Sequence, residues 1–506
     1  MNKITLLASL FFSFTVSAQV SLDPDFGVAG KMNENFLGFD NVMQDMVLQP
    51  DGKIIAVGSL NSAANDTQFL ITRFLSNGTV DVGFGTGGVV LADAGLKAYA
   101  GAVAIQPDGK IIVAGLMLVQ TPGYTFSDMM IVRCNSDGTL DASFGDGGIK
   151  IISKPFSETL NSVLIQDDKI ILAGSTAPSV TDRYLSMVRI DDTGEVDTSF
   201  GINGYSEVNL PGYNELFEIG FDSQGNIIGS GRTDSQFVVA KYDSNGFLDD
   251  SFGIEGVVIT SIGSNAIFHR QLILSDDSVI CVGSSGPTAS KNNLVIAKYD
   301  SYGMPALDFG TNGMIVTDFG TGINSMGRDI SLDHDNNLVV GLSVGPPYDY
   351  DFVTAKYSQT GVLDTSFGTN GYYTTTFLGG HEYLSRLLIQ PDHKILIGGS
   401  KHGFVMARLM DGPLATEDFE ISQHISFAPN PIVANSKLSL NLNVTDVFTC
   451  KLYDSKGTLV KILFDNKQFN EGVNLEDFNS DNLTKGIYFI KIFGNGNLER
   501  TIKIIR

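Results

Sequence analysis

The sequence has no tryptophan, only three cysteines, and 33 basic residues against 56 acidic ones in 506. Each shortage excludes something. Cys134, Cys281 and Cys450 are odd in number and scattered, so no disulfide framework is indicated. Cys281 falls where other repeats (below) carry Ala56 and Val113, and Cys134 where they carry Phe74 or Tyr242, so both read as core residues. The net charge of −23 repels phosphate backbones and anionic membrane surfaces, so nucleic acid is not an expected partner. After the N-terminus no apolar run reaches the length of a membrane-spanning helix, so no transmembrane segment is expected. The missing tryptophan weighs modestly against a carbohydrate site, since stacking on sugars favours large aromatic faces.

Chemical motifs are also missing. There is no H-E-x-x-H, G-x-S-x-G, P-loop or C-x-x-C, and no catalytic or metal-ligating residue is singled out. The histidines occupy mostly unlike repeat positions, and His393 replaces a turn glycine. Acidic stretches such as Asp333 to Asn337 are similar to calcium loops. They lack the full ligand order and the late glutamate, so turn chemistry is the better reading. No cofactor is predicted, with Ca2+ left open on these stretches alone.

What is present is organised. Lys3 followed by the apolar run Ile4 to Val16, then small residues at Val16-Ser17-Ala18, predicts a signal peptide over 1–18 cleaved between Ala18 and Gln19. Beyond it, F-G-x-x-G occurs seven times, opening at Phe26, Phe84, Phe144, Phe200, Phe252, Phe309 and Phe367. An aspartate stands three residues before the phenylalanine in every copy but the sixth. A second phrase, clearest as Q-P-D-G-K-I-I at Gln49 and Gln106, follows each first one. A third ends in a basic residue: Arg73, Arg133, Arg189, Lys241, Lys298, Lys356 and Arg408. That charge is expected to pair within the blade, with the aspartate before the phenylalanine as partner.

These phrases read as β-rich runs around Asp-Gly and Asn-Gly turns, about four short strands per repeat, with no sustained helical period. Four-stranded units of this size repeated seven times predict an all-β, seven-bladed β-propeller over 19–411. Whether the segment around Leu22 to Phe36 opens blade 1 or completes blade 7 is open on these grounds. A linker over 412–424 and a small β-sandwich over 425–506, immunoglobulin-like in strand content, follow. Residues 412–506 are nearly charge-balanced, so the acidity belongs to the propeller.

The L-D-x-S-F-G-x-x-G phrase, the Q-x-D-G-K-I phrase and the basic strand end together resemble the delta-60 repeat family of bacterial propeller proteins. That resemblance implies a propeller without assigning its biochemistry. Pro429-Asn430-Pro431, Tyr453-Asp454 with Gly457, the L-T-K-G-I-Y run with Gly486 and Tyr488, and the terminal Lys503-Ile504-Ile505-Arg506 resemble the type A C-terminal sorting domain of the type IX (Por) secretion system. This resemblance implies export to the cell surface or beyond, with the secretion machinery as a partner.

Lettering each repeat's strands A to D from the one after F-G-x-x-G puts the A–B and C–D loops on one face. The monotonous turns occupy the other. The C–D loops vary most, and recognition favours variable loops on a rigid scaffold. Tyr124 and Phe126 in blade 2, with Tyr348, Asp349, Tyr350 and Asp351 in blade 6, are therefore the candidate residues for an unknown extracellular ligand. The expected function is binding or adhesion; the alternative is a secreted enzyme acting on extracellular polymers, a glycan hydrolase or lyase.

Overall fold

The computed structural model describes residues 20–412 apart from 63–65, 95–96, 156, 178, 180–181, 289–290 and 378–379. It also describes 424–506 apart from 429–431, 433–435, 443–444, 455–457, 479, 481–482 and 495–498. The expected signal peptide with Ala18 and Gln19, most of the linker, and Pro429-Asn430-Pro431 lie outside the described residues. The chain forms two compact units that divide between Gly412 and Pro413.

The first unit holds seven antiparallel sheets, six of four strands and one of five. Their innermost strands are Asp40–Leu48, Ala98–Ile105, Glu158–Gln166, Asn214–Phe221, Ser264–Ile273, Asn324–Leu332 and Tyr383–Ile389. Each returns through the Q-P-D-G-K type turn to a second strand that is buried nearly throughout, as in Ile54–Asn61. The turn works because its fourth residue enters the left-handed region: Gly52 has φ 82° and Gly109 φ 85°. His393 takes that place in the last blade at φ 69°, which gives it the turn role its position implies.

Apolar clusters join neighbouring blades. Phe69, Phe84, Val103 and Val113 share one core between blades 1 and 2. Met43, Ile54, Leu396 and Phe404 share another between blades 1 and 7. The Met43 N–H donates to Ser400 Oγ at 2.7 Å, so the last blade packs on the first and the ring is closed.

The repeat and the blade are out of phase. The short strand after F-G-x-x-G, Val89–Ala92 for example, pairs with the third strand of the preceding sheet, Thr67–Phe74. The N-terminal strands Ser21–Leu22 and Lys31–Glu34 accordingly pair with Phe404–Met410, and the beginning of the chain completes blade 7. The open question about Leu22 to Phe36 is thereby answered. The blade 2 C–D segment carrying Tyr124 and Phe126, expected as a variable loop, is instead a continued hairpin over Leu116 to Asp128, paired as far as Thr121 opposite Tyr124 around Pro122-Gly123. The alternating Tyr124-Thr125-Phe126 pattern suits a strand, and Gly123 at φ 96° makes the tight turn.

All seven repeat phenylalanines, Phe26, Phe84, Phe144, Phe200, Phe252, Phe309 and Phe367, are buried. The basic residue of the same blade lies over the ring in four of them: Arg73 over Phe84, Arg133 over Phe144, Arg189 over Phe200 and Arg408 over Phe26, at 4.6 to 4.9 Å from the centroid. Each of these guanidiniums also pairs with the phrase aspartate: Asp81, Asp141 and Asp197 at 2.8 Å, Asp23 at 2.7 Å. Lys241 shifts to Asp222 at 2.9 Å, and Lys356 to Asp333 and Asp411 at 2.7 Å. In the sixth copy Ala306 stands where the aspartate would, and only its backbone N–H makes the usual bond, to Lys298 O. Burial pushes the Asp141 and Asp197 carboxyls up, but hydrogen bonds from the serine two residues on and the adjacent cations outweigh it. Both sit well below the usual carboxylate range.

The second unit is a two-sheet sandwich. Lys437–Leu442 lies between His424–Ala428 and Gly472–Asp477 in one sheet. The other runs Leu459–Phe469, Asp446–Asp454, Ile487–Gly494, Glu499–Ile505. Leu440, Phe448, Cys450, Leu452, Tyr488, Ile490 and Ile504 form its core. The sorting-motif residue Tyr488 is buried, and its hydroxyl donates to Thr484 O at 3.0 Å. Gly486 exchanges two backbone hydrogen bonds with Arg506, at 3.0 and 2.9 Å, and Lys503 pairs with Phe489 across the last two strands. The three cysteines are buried and free, and burial pushes their thiols well up.

Candidate functional site: the central funnel

Each innermost strand breaks register at the same place, toward the end that faces the variable loops, and Ser264–Ile273 breaks a second time between Ser264 and Ile267. The extra residues at these bulges are Gln44, Gly101, Asn161, Phe217, His269, Arg328 and Ser385. All seven line one cavity of about 710 Å³ at the centre of the ring. A bulge turns a side chain out of the ladder and re-aims it, so the scaffold repeats a geometry seven times and fills it with seven unlike groups. The cavity wall is completed by Tyr99, Tyr383, His381 and the blade 7 turn at Lys401-His402, which places its mouth on the A–B/C–D face.

One step farther along the strands, toward the opposite face, lies a ring of a different kind. Arg386 reaches Asp45 at 2.9 Å and Asp329 at 3.6 Å, and Arg270 reaches Glu218 and, across the ring, Asp45 at 3.6 Å. The carboxylates are also held by backbone N–H groups of the next blade, Val103 on Asp45 at 2.9 Å and Leu387 on Asp329 at 2.6 Å. Burial pulls the Arg386 guanidinium toward neutrality, but Asp329, Asp45 and Glu218 hold it firmly charged. Burial dominates at Glu218 and raises its pKa despite Arg270. Two cations among three carboxylates make this ring a compensated floor beneath the cavity.

The upper ring is not compensated. No carboxylate lies within ion-pair distance of Arg328 among the described residues, and Nε of its guanidinium is buried without a hydrogen-bond partner. Its polar contact is Met326 Sδ at 3.7 Å, and it sits 6.0 Å from the centroid of the Tyr383 ring. Burial lowers its pKa. Burial and the nearby Arg328, Arg270 and Arg232 charges hold the His269 pKa well below its ordinary value, so that imidazole is neutral. His381 Nδ1 is likewise buried without a partner.

The residues singled out from sequence fall into two separate groups. Tyr124 and Phe126 stack on each other at 6.2 Å on the blade 2 hairpin. Tyr348 is exposed and packs its ring edge against His381 at 5.7 Å, while Tyr350 is buried against Tyr383 at 5.4 Å. Asp349 is exposed and Asp351 half-buried, with burial and Asp349 raising the Asp351 pKa. None of the six lines the cavity, but Tyr348 and Tyr350 pack against two residues that do, His381 and Tyr383. The bulge ring itself escaped the sequence reading. Its signal was present: every member stands five positions before the residue that opens the turn, Gln49, Gln106, Gln166, Asp222, Leu274, Asp333 and Gln390. Among the described residues no cluster of His, Cys, Asp and Glu forms a metal site.

A propeller built on these repeats, ahead of a sorting sandwich, is a secreted cargo architecture. The Domain of unknown function (DUF5122) beta-propeller family matches residues 49–84, 106–144 and 165–200, and the Secretion system C-terminal sorting domain family matches 426–506. The chain thus carries DUF5122 (delta-60-like) propeller repeats and a C-terminal sorting domain that directs secretion and surface attachment through the type IX system. No helix among the described residues is long and apolar enough to cross a membrane. Structural likenesses are distant. PorZ, a surface component of the type IX system of Porphyromonas gingivalis, is 10% identical over 92% of this chain and 81% of its own, with a TM-score of 0.28. A protein of unknown function from Dyadobacter fermentans is 10% identical over 95% and 100%, TM-score 0.29. A glucose dehydrogenase is 11% identical over 73% and 96%, TM-score 0.32. No curated protein sequence matches the chain.

Proposed function

We propose that this protein is an extracellular binding module, delivered by the type IX system, that takes its ligand in the central funnel of the propeller. The observation that carries the reading is the bulge ring. Identical backbone geometry in seven blades serves the scaffold, whereas seven different side chains at that one position make an asymmetric surface, and recognition needs asymmetry. The cavity falls within the range of about 300–1,000 Å³ typical of small-molecule sites. The ionic floor supports binding over passage, because it crosses the ring beneath the funnel.

The test is a screen of the full-length protein against a saccharide array and a hydrolase and lyase substrate panel. Two variants accompany it: Phe217→Ala in the funnel and Tyr124→Ala/Phe126→Ala on the blade 2 hairpin. Capture of a ligand that Phe217→Ala loses and the hairpin variant keeps is the expected result. Loss in the hairpin variant alone would move the site to the blade 2 aromatics, and turnover of any panel substrate would favour the enzyme reading.

A further inference from the structure

We infer that the funnel recognises an oxyanion carried on a saccharide, a carboxylate or a sulfate ester, with Arg328 as its principal ligand. The inference deepens the funnel reading and rests on it. Four observations converge. First, Arg328 occupies a position built to project into the cavity, the bulge of blade 6. Second, its charge is not consumed inside the protein. The other guanidinium of the wall, Arg270, is held by Asp45 and Glu218, whereas Arg328 has no carboxylate within reach among the described residues and a buried Nε–H without an acceptor. A guanidinium held without a counter-ion in a largely buried place costs stability, and an arriving oxyanion would supply that counter-ion.

Third, the planar guanidinium fork matches two oxygens of a carboxylate or sulfate, and Tyr383 beside it leaves the fork free while covering one side. Fourth, the rest of the wall suits the body of a sugar more than a second charge. Phe217, Tyr99 and Tyr383 offer aromatic faces in a protein without tryptophan, and neutral His269 and the unpartnered His381 Nδ1 offer hydrogen bonding. The single acidic group of the wall, Asp40, lies 3.7 Å from His402 at the mouth. The protein's overall charge of −23 repels anions in general, so an unpaired cation in its central cavity is a local reversal of the field.

The experiment uses the full-length protein, its Arg328→Gln and Arg328→Lys variants, and three matched disaccharide probes: one bearing a uronic carboxylate, one a sulfate ester, one neutral. Titration calorimetry reads affinity and a melting curve reads stability. The expected result is binding of at least one charged probe, tenfold or more tighter than the neutral one. That preference should be lost in Arg328→Gln and partly restored in Arg328→Lys. Which charged probe binds identifies the oxyanion. The melting temperature of ligand-free Arg328→Gln should equal or exceed that of the parent, because no internal ion pair is lost. Equal affinity for charged and neutral probes, or charged-probe binding unchanged in Arg328→Gln, would overturn the inference and leave the funnel reading standing. Failure of all three probes to bind would count against both. A melting temperature in Arg328→Gln as low as that of Arg386→Gln, which breaks the ionic floor, would make Arg328 a structural residue and overturn the inference without any ligand.

Discussion

Removing the carboxylate of Asp23 should open the ring at its seam. Asp23 lies on the N-terminal segment that completes blade 7, almost wholly buried, and its Oδ2 meets Arg408 Nε at 2.7 Å and Lys394 Nζ at 2.9 Å. In the pairs Arg73–Asp81, Arg133–Asp141 and Arg189–Asp197 the two residues lie on one continuous stretch; here they join residue 23 to residue 408. Asp23→Ala leaves a buried guanidinium and a half-buried ammonium facing one another without their shared counter-ion. Breaking a buried pair from one side costs about 3–5 kcal/mol. With an unfolding entropy of about 2.1 cal/mol/K per residue, a cooperative unit of roughly 390 residues would lose about 4–6 °C in melting temperature. The seam should also fray locally, so hydrogen exchange at Ser21–Glu34 should accelerate more than exchange in the inner strands. Asp25→Ala, two residues away and exposed, is the control and should move the melting temperature by less than about 1 °C. Equal melting of Asp23→Ala and Asp25→Ala, or uniform exchange across blade 7, would refute the view that this ion pair fastens the ring.

Other expectations follow from the same interactions. Phe144→Ala, which empties a wholly buried site between blades 2 and 3, should cost about 3–5 kcal/mol in denaturant unfolding. Gly145→Ala should also destabilise, by more than about 1 kcal/mol, because φ is +53° and a Cβ would lie 2.2 Å from Ile149 O. Stability should fall as the pH drops below about 4: the Asp23, Asp81, Asp141, Asp197 and Asp249 carboxyls are depressed in the fold, so their contribution is present above the unfolded value and is lost on protonation. Glu158 runs the other way. Burial raises it to about 8, so folding is penalised increasingly from pH ~4.3 up to pH 8, and Glu158→Gln should melt higher than the parent at pH 8 and equally at pH 4. Deleting Gly412 to Arg506 should trap the propeller in the periplasm of a type IX host, and surface fractionation reads the outcome.

Much of this protein is local, and what is local was legible in the sequence. F-G-x-x-G needs a phenylalanine that fills the space between blades and a glycine at positive φ, whichever blade it serves, so it recurs and counts the blades. The arginine-aspartate pairing was legible for the same reason: Arg73 and Asp81 are joined through one connection, and any repeat carrying both can form it. His393 announced a turn because it stands where glycine stands elsewhere. The sixth copy's lost ion pair could be read directly from Ala306.

Tertiary structure decided what depends on a neighbour. The strand after each F-G-x-x-G looks like the start of a repeat, but its hydrogen-bonding partner is the strand behind it, and only pairing reveals that phase and hence the N-terminal closure of blade 7. The blade 2 hairpin reads as a loop until Tyr124 is seen opposite Thr121. The funnel was hidden most deeply. Gln44, Gly101, Asn161, Phe217, His269, Arg328 and Ser385 share a position but no chemistry, so nothing in their identities draws attention to them. A register break between strands gathers them around one axis, and that break is a property of paired backbones, which a single strand's sequence does not encode.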